Sequence, residues 1–198
     1  MKKFEFTGET KLWFGRTLHR IRALISIERW NVKKGDDGGW IEKEENLTHD
    51  GDAWVCDNAR VSGDAWVCDN ARVSGDAWVC DNALVCDNAW VCDNAWVSGD
   101  ARVSGDARVS GDALVCDNAH YMTIGPIGSR NGITTFFRDK SGKIMVMCGC
   151  FYGDIDAFIE KVKQTHRESK HAKAYLAAAE LAKIQIDISE VKDDAKSE

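Results

Sequence analysis

Residues 51–122 repeat every six positions without an insertion, from Gly51-Asp52-Ala53-Trp54-Val55-Cys56 to Asp117-Asn118-Ala119-His120-Tyr121-Met122. Each hexad reads Gly/Asp, Asp/Asn, Ala, a variable residue, Val, Ser/Cys. The Gly-Asp and Asp-Asn pairs are turn chemistry that tolerates left-handed backbone, and the four residues after them alternate in face as a strand does. Ala and Val therefore point one way, and the variable residue and Ser/Cys the other. A small Ala beside a β-branched Val suits a narrow core better than a mixture of Trp, Arg, Leu and His, so Ala and Val face inward.

The pattern of an aliphatic residue followed four positions later by a small one, as in Val61-Ser62-Gly63-Asp64-Ala65, resembles the hexapeptide-repeat family. That resemblance implies a β-solenoid, a left-handed parallel β-helix with three hexads per triangular coil. Twelve hexads then make about four coils, a prism roughly 19 Å tall at the spacing of parallel strands. Further likeness lies in the flanks, in Gly38-Gly39-Trp40-Ile41-Glu42-Lys43-Glu44-Glu45-Asn46-Leu47, in Thr123-Ile124-Gly125-Pro126-Ile127-Gly128-Ser129-Arg130 and in Thr135-Phe136-Phe137-Arg138. These look like hexapeptide-repeat proteins carried by phages and prophages, a group that implies no particular reaction and places the protein in the cytoplasm of a bacterial host.

With three hexads per coil the variable residues form three outward columns. They read Trp54, Arg72, Trp90, Arg108; then Arg60, Trp78, Trp96, Leu114; then Trp66, Leu84, Arg102, His120. Stacked Trp and Arg stiffen such a ladder through cation–π contacts of about 0.5–1 kcal/mol each at exposed sites. Five tryptophans facing outward present more apolar area than a soluble monomer normally leaves wet, and Trp with Arg is common hot-spot chemistry. A homo-oligomer, trimer or dimer, or a partner protein is expected to cover them.

Charge is unevenly spread along the chain, whose formal net charge is −6. Residues 1–34 hold nine Lys/Arg against three acids, and residues 51–122 hold four Arg against twelve Asp. Twelve carboxylates over that height come to one per ~1.6 Å, close to the ~1.7 Å of duplex DNA. Asp52, Asp64, Asp76, Asp100, Asp106 and Asp112 thus form a candidate acidic surface that could occupy a basic site on a nucleic-acid-handling or defence protein of the host, as a phage inhibitor would. Direct nucleic-acid binding through Lys2, Lys3, Lys11, Arg16, Arg20, Arg22, Arg29, Lys33 and Lys34 is disfavoured by the acidic solenoid beside them.

Enzymatic readings find little purchase. The acyltransferases of this fold use a general-base histidine beside an inter-subunit cleft. Here the repeats offer only His120, in a degenerate last hexad where capping is the simpler role. Zinc chemistry of the carbonic anhydrase kind needs three histidine ligands. Cys148-Gly149-Cys150 could offer two thiolates, but Cys56, Cys68, Cys80, Cys86, Cys92 and Cys116 alternate with Ser at equivalent positions, as structural residues would. No metal or cofactor is expected. Without a signal-like apolar start or a run of 18 apolar residues, the chain is expected to be cytosolic, with reduced thiols and no membrane span.

The flanks should close the ends of the solenoid. Residues 1–50 form an N-terminal capping segment in which Phe4 and Phe6, then Leu12 and Phe14, suggest strands, while Leu18, Ile21, Leu24 and Ile25 suit a helix equally well. Residues 123–190 read as a small α/β domain. Ile133–Arg138 and Lys143–Cys148 form a hairpin around Asp139-Lys140-Ser141-Gly142. A helix follows with Asp154 as N-cap and Ile155, Phe158, Ile159 and Val162 as its apolar stripe, then a second helix over His171–Ile186. Residues 191–198 read as a frayed tail.

Overall fold

The computed structural model describes residues 1–189; the tail at 191–198 lies outside the described residues. The repeats form a β-solenoid. Eleven two-residue strands, β4 to β14, follow one another: Trp54–Val55, Arg60–Val61, Trp66–Val67, Arg72–Val73, Trp78–Val79, Leu84–Val85, Trp90–Val91, Trp96–Val97, Arg102–Val103, Arg108–Val109 and Leu114–Val115. Every third strand pairs in parallel, giving the stacks β4-β7-β10-β13, β5-β8-β11-β14 and β6-β9-β12. The pairing partners are the columns expected from the sequence, Trp54 beside Arg72 beside Trp90 beside Arg108 on the first face. Hydrogen bonds run from coil to coil, as from Trp54 N–H to the Ala71 carbonyl at 2.9 Å and from Cys56 N–H to that of Val73 at 2.9 Å.

Inside, the Val residues of these strands and the Ala residues before them are buried without exception. The small Ala leaves the corners narrow enough for three faces to share one core, and the branched Val fills the middle of each side.

The corners obey a rule that links neighbouring positions. Where a strand ends in Cys the corner is Asp-Asn, and where it ends in Ser the corner is Gly-Asp. The first corner residue is left-handed in both versions, at φ 57 to 61° for Asp57, Asp69, Asp81, Asp87 and Asp93 and at 58 to 69° for the glycines from Gly51 to Gly111. Glycine adopts that conformation freely, whereas aspartate offsets the strain with a local hydrogen bond. Here the bond reaches the next coil. Asp57, Asp81, Asp87 and Asp93 accept the backbone N–H of Gly75, Gly99, Gly105 and Gly111 at 2.9–3.2 Å, and Asp69 accepts that of Asp87 at 3.1 Å. The preceding thiol donates to the same carboxylate, as from Cys56 to Asp57 at 3.5 Å. In the second corner position Asn82, Asn88 and Asn94 donate to Asp100, Asp106 and Asp112 one coil on.

The twelve-hexad expectation needs correcting at both ends. Asp117–Met122 does not make a last strand: Asn118–His120 turn into a 3-10 helix, and Tyr121 enters the next sheet. The coil also starts before residue 51, because β3 (Asp37–Ile41) pairs in parallel with β5, setting Trp40 beside Arg60. In the first segment strand periodicity prevails over helix. β1 (Phe4–Trp13) and β2 (Arg16–Ala23) form an antiparallel hairpin that continues through β3 into the second face. Its turn, Phe14-Gly15, has φ of 45° and 73°, the signs of a tight hairpin turn that matches strand twist. Phe4 and Ile21 close the top of the solenoid core.

At the other end Phe137 joins the same core, so the following domain plugs the bottom. That domain is an antiparallel sheet, β15 (Tyr121–Ile127), β16 (Gly132–Arg138), β17 (Ile144–Cys148) and β18 (Phe151–Asp154), carrying α1 (Ile155–His166) and α2 (Lys170–Gln185). Asp154 caps α1 by accepting the Ala157 N–H at 2.8 Å, as its sequence position predicts. Phe136, Val146, Phe158, Tyr175 and Ala182 form its separate core. The expected hairpin is present, and β15 and β18 extend it to four strands.

Candidate interaction surface

Two of the three outward columns are covered by the chain's own N-terminal segment. On the second face the β1–β2 hairpin curls over the outside of the coils. The Phe14 ring stacks on Trp78 at 5.2 Å and 8°, and Trp78 stacks on Trp96 at 5.0 Å and 12°. The Arg60 guanidinium lies 4.0 Å from the Trp13 ring centroid. On the first face Trp30, from the loop between β2 and β3, begins an alternating run, with Arg72 between the Trp30 and Trp90 rings and Arg108 beyond. Arg29 reaches along the corner to accept no one's proton but to donate to Asn88 at 2.8 Å.

The tryptophans are also tied to the preceding coil. Trp78 and Trp90 indoles donate to the Ser62 and Ser74 hydroxyls at 3.1 and 3.0 Å, and Trp96 donates to the Cys80 sulfur at 3.2 Å. Ser and Cys interchange in this position because either can accept such a bond. The expectation of five wet tryptophans is therefore corrected. Trp54 is buried, since the Gly38 backbone packs on it so closely that a Cβ at Gly38 would sit 2.8 Å from its ring. Trp78, Trp90 and Trp96 are half-buried, and Trp66 alone among the five is exposed, at 49%.

The third face is different. Its column, Trp66, Leu84 and Arg102 on β6, β9 and β12, has none of the ring-stacking or cation–π contacts of the other two among the described residues; flank residues meet it at its ends, where Leu47 bridges to Val67 and the Tyr121 hydroxyl donates to the Arg102 carbonyl. His120, placed in this column by the sequence, sits in the 3-10 turn, buried, with its Nδ1 accepting the Cys116 N–H at 3.1 Å. Burial, followed by the nearby Arg138 charge, lowers its pKa. These contacts give it the work of closing the last coil.

The acidic residues divide into two sets. The first-position aspartates hold the coils together through the N–H ladder described above. Of the outward six, Asp64 pairs with Lys43 at 2.5 Å, Asp76 with Arg60 at 3.5 Å and Asp112 with Lys140 at 3.6 Å. Asp100 and Asp106 receive asparagine side chains, and Asp52 faces the buried Lys3. The rule linking Cys to Asp-Asn and Ser to Gly-Asp was visible in the sequence and would have signalled this structural role.

Burial pushes the thiols up, Cys56 to about 11 and Cys68, Cys80 and Cys92 to about 12. Cys68 and Cys86 stack in adjacent coils with the Asp69 carboxylate, all three donor atoms within 4.8 Å of one another. A thiol held protonated is a poor nucleophile and must lose its proton before ligating a metal, which fits packing better than reactivity.

A family profile described as YdcK Beta solenoid repeat matches residues 53–69, 65–81, 95–111 and 101–120. The repeats of this chain are thus similar to that β-solenoid repeat. A comparison with curated proteins returns no match. Among the described residues no helix is long and apolar enough to cross a membrane.

Proposed function

We propose that the protein is a non-catalytic, self-associating solenoid module in which the third face, with Trp66 exposed on it, pairs with the same face of a second copy. The observation that carries this reading is the order of its column. A two-fold axis through Leu84 sets Trp66 of each copy over Arg102 of the other and Leu84 over Leu84. The column is self-complementary, as an isologous interface requires. Its cross-pairs repeat the Trp–Arg contact the chain makes within its own first two faces.

A face of three stacked two-residue strands is small beside the roughly 800 Å² per partner of a standard interface, so the dimer should dissociate on dilution. Duplex mimicry by the acidic corners has less support, since five of the twelve carboxylates are spent on the coil-to-coil ladder and three of the others on ion pairs.

Sedimentation velocity of the purified protein across a concentration series tests the proposal. Wild type should shift from monomer to dimer, and Trp66→Arg or Arg102→Trp should each remain monomeric at concentrations where wild type pairs. The double exchange, Trp66→Arg with Arg102→Trp, restores complementarity and should restore the dimer. A monomer at every concentration, or a dimer insensitive to both single changes, rejects it.

A further inference from the structure

Below the solenoid, a cleft of about 810 Å³ opens between its last coil, the β15–β16 turn and α1. That size falls within the ~300–1,000 Å³ of small-ligand sites. Its floor is apolar and largely aromatic, from Ile133, Met147, Phe151, Phe158 and Tyr175. Phe158 meets Phe151 at 5.4 Å and Tyr175 edge-on at 5.7 Å, which fixes the three rings as a preformed surface. Around the mouth stand Arg108 from the solenoid, Arg130 from the β15–β16 turn and Lys161 from α1, with Asp106 as the one lining carboxylate.

Elsewhere in this acidic chain Lys2, Arg16, Arg22, Lys43, Arg60, Lys140, Lys163 and Lys183 pair with acids, while others such as Arg72 and Arg138 do not. Among the described residues Arg108, Arg130 and Lys161 have no such partner, and Asp106 is engaged by the Asn88 amide at 3.0 Å. Arg130 is also given room: a Cβ at Gly149, which has φ +61°, would come within 3.2 Å of its Nη1. Three cations without an acid partner, from three separate elements, converge on one apolar cleft, although Arg108 also lies against the Trp90 ring.

We infer that this cleft binds a small aromatic anion, its ring on the Phe151–Phe158–Tyr175 floor and its phosphate or carboxylate among Arg130, Lys161 and Arg108. Guanidinium and ammonium groups recognise such heads by charge-assisted hydrogen bonds, and the aromatic floor selects against bare inorganic ions. The inference is independent of dimer formation, since none of these residues belongs to the Trp66–Leu84–Arg102 column.

The test is titration calorimetry of the full chain with adenosine monophosphate and with 1-naphthoate, using adenosine and inorganic phosphate as controls. At least one of the two anions should bind at a single site, more tightly than either control. The exposed pair Arg130→Ala and Lys161→Ala should weaken it at least tenfold while leaving the unfolding temperature unchanged. The Gly149 and Gly132 amide resonances should move on binding, and which anion prevails separates a nucleotide from an aryl acid. Failure of both anions to bind below about 1 mM, equal binding by the double variant, or adenosine binding as well as its phosphate overturns the inference.

Discussion

Replacing Asp87 by Ala isolates what the corner ladder contributes. The Asp87 Oδ2 accepts the Gly105 N–H at 2.9 Å, and the Asp87 N–H is in turn received by Asp69 at 3.1 Å, so the residue is a middle rung. A hydrogen bond to a charged group contributes about 1.5–3 kcal/mol net. Asp87 also sits at φ 58°, where a side chain without a local hydrogen bond costs about 1–2 kcal/mol. Alanine loses the bond and keeps the strained backbone, for a combined loss of about 3 kcal/mol. In a chain of this size that lowers Tm by about 6–12 °C. Asp87→Gly loses the bond but relieves the backbone, and should be about 1 kcal/mol more stable than Asp87→Ala. Asp100→Ala, which removes an exposed carboxylate receiving only the Asn82 side chain, should change stability by no more than about 0.5 kcal/mol. Thermal and urea unfolding followed by circular dichroism measure all three. If Asp87→Ala matches Asp100→Ala, or if glycine is no better than alanine at 87, the ladder does not hold the coils as described.

Trp54→Ala empties a fully buried site and should cost about 3–5 kcal/mol, whereas Trp66→Ala should cost the monomer far less and be felt in association; unfolding and sedimentation distinguish the two. Lys3 is buried, with its Nζ on the Asp50 and Gly51 carbonyls, and burial lowers its pKa from 10.5 to about 8. Between pH 8 and 10.5 the unfolded chain holds more protons on this group than the folded one, so stability should rise with pH across that window. Lys3→Met should flatten the rise, as denaturation midpoints at pH 7.5 and 10 would reveal. Iodoacetamide at pH 8 should modify the exposed Cys150 well before Cys56, Cys68, Cys80 and Cys92, whose thiols remain protonated; mass spectrometry of peptides after brief exposure reads the order.

The solenoid was legible because a six-residue period leaves the chain few ways to bury Ala and Val together, and the columns followed from the same arithmetic. The cover on those columns was not. Nothing local to Trp13, Phe14 or Trp30 says that they will lie on Arg60, Trp78 and Arg72, for those contacts depend on how the hairpin twists after β3 joins the stack. For the same reason Trp54 read as an outward residue, although the Gly38 backbone closes over it. The helix reading of Leu18 and Ile21 failed because both residues found a buried side in an antiparallel strand. The lower cleft is assembled from the solenoid, the four-stranded sheet with its first turn, and both helices, so no single stretch of sequence contains its pattern.

The uninterrupted hexad has one more consequence. Because three hexads complete a coil, each one turns the chain onto the next face as well as advancing it. Loss or gain of a single hexad within the array would rotate everything beyond it by a third of a turn. It would move Trp96 away from Trp78 and send a different column to the open side. Eighteen residues is thus the smallest change in length that leaves all three faces in phase, and the array is free to lengthen only in that unit.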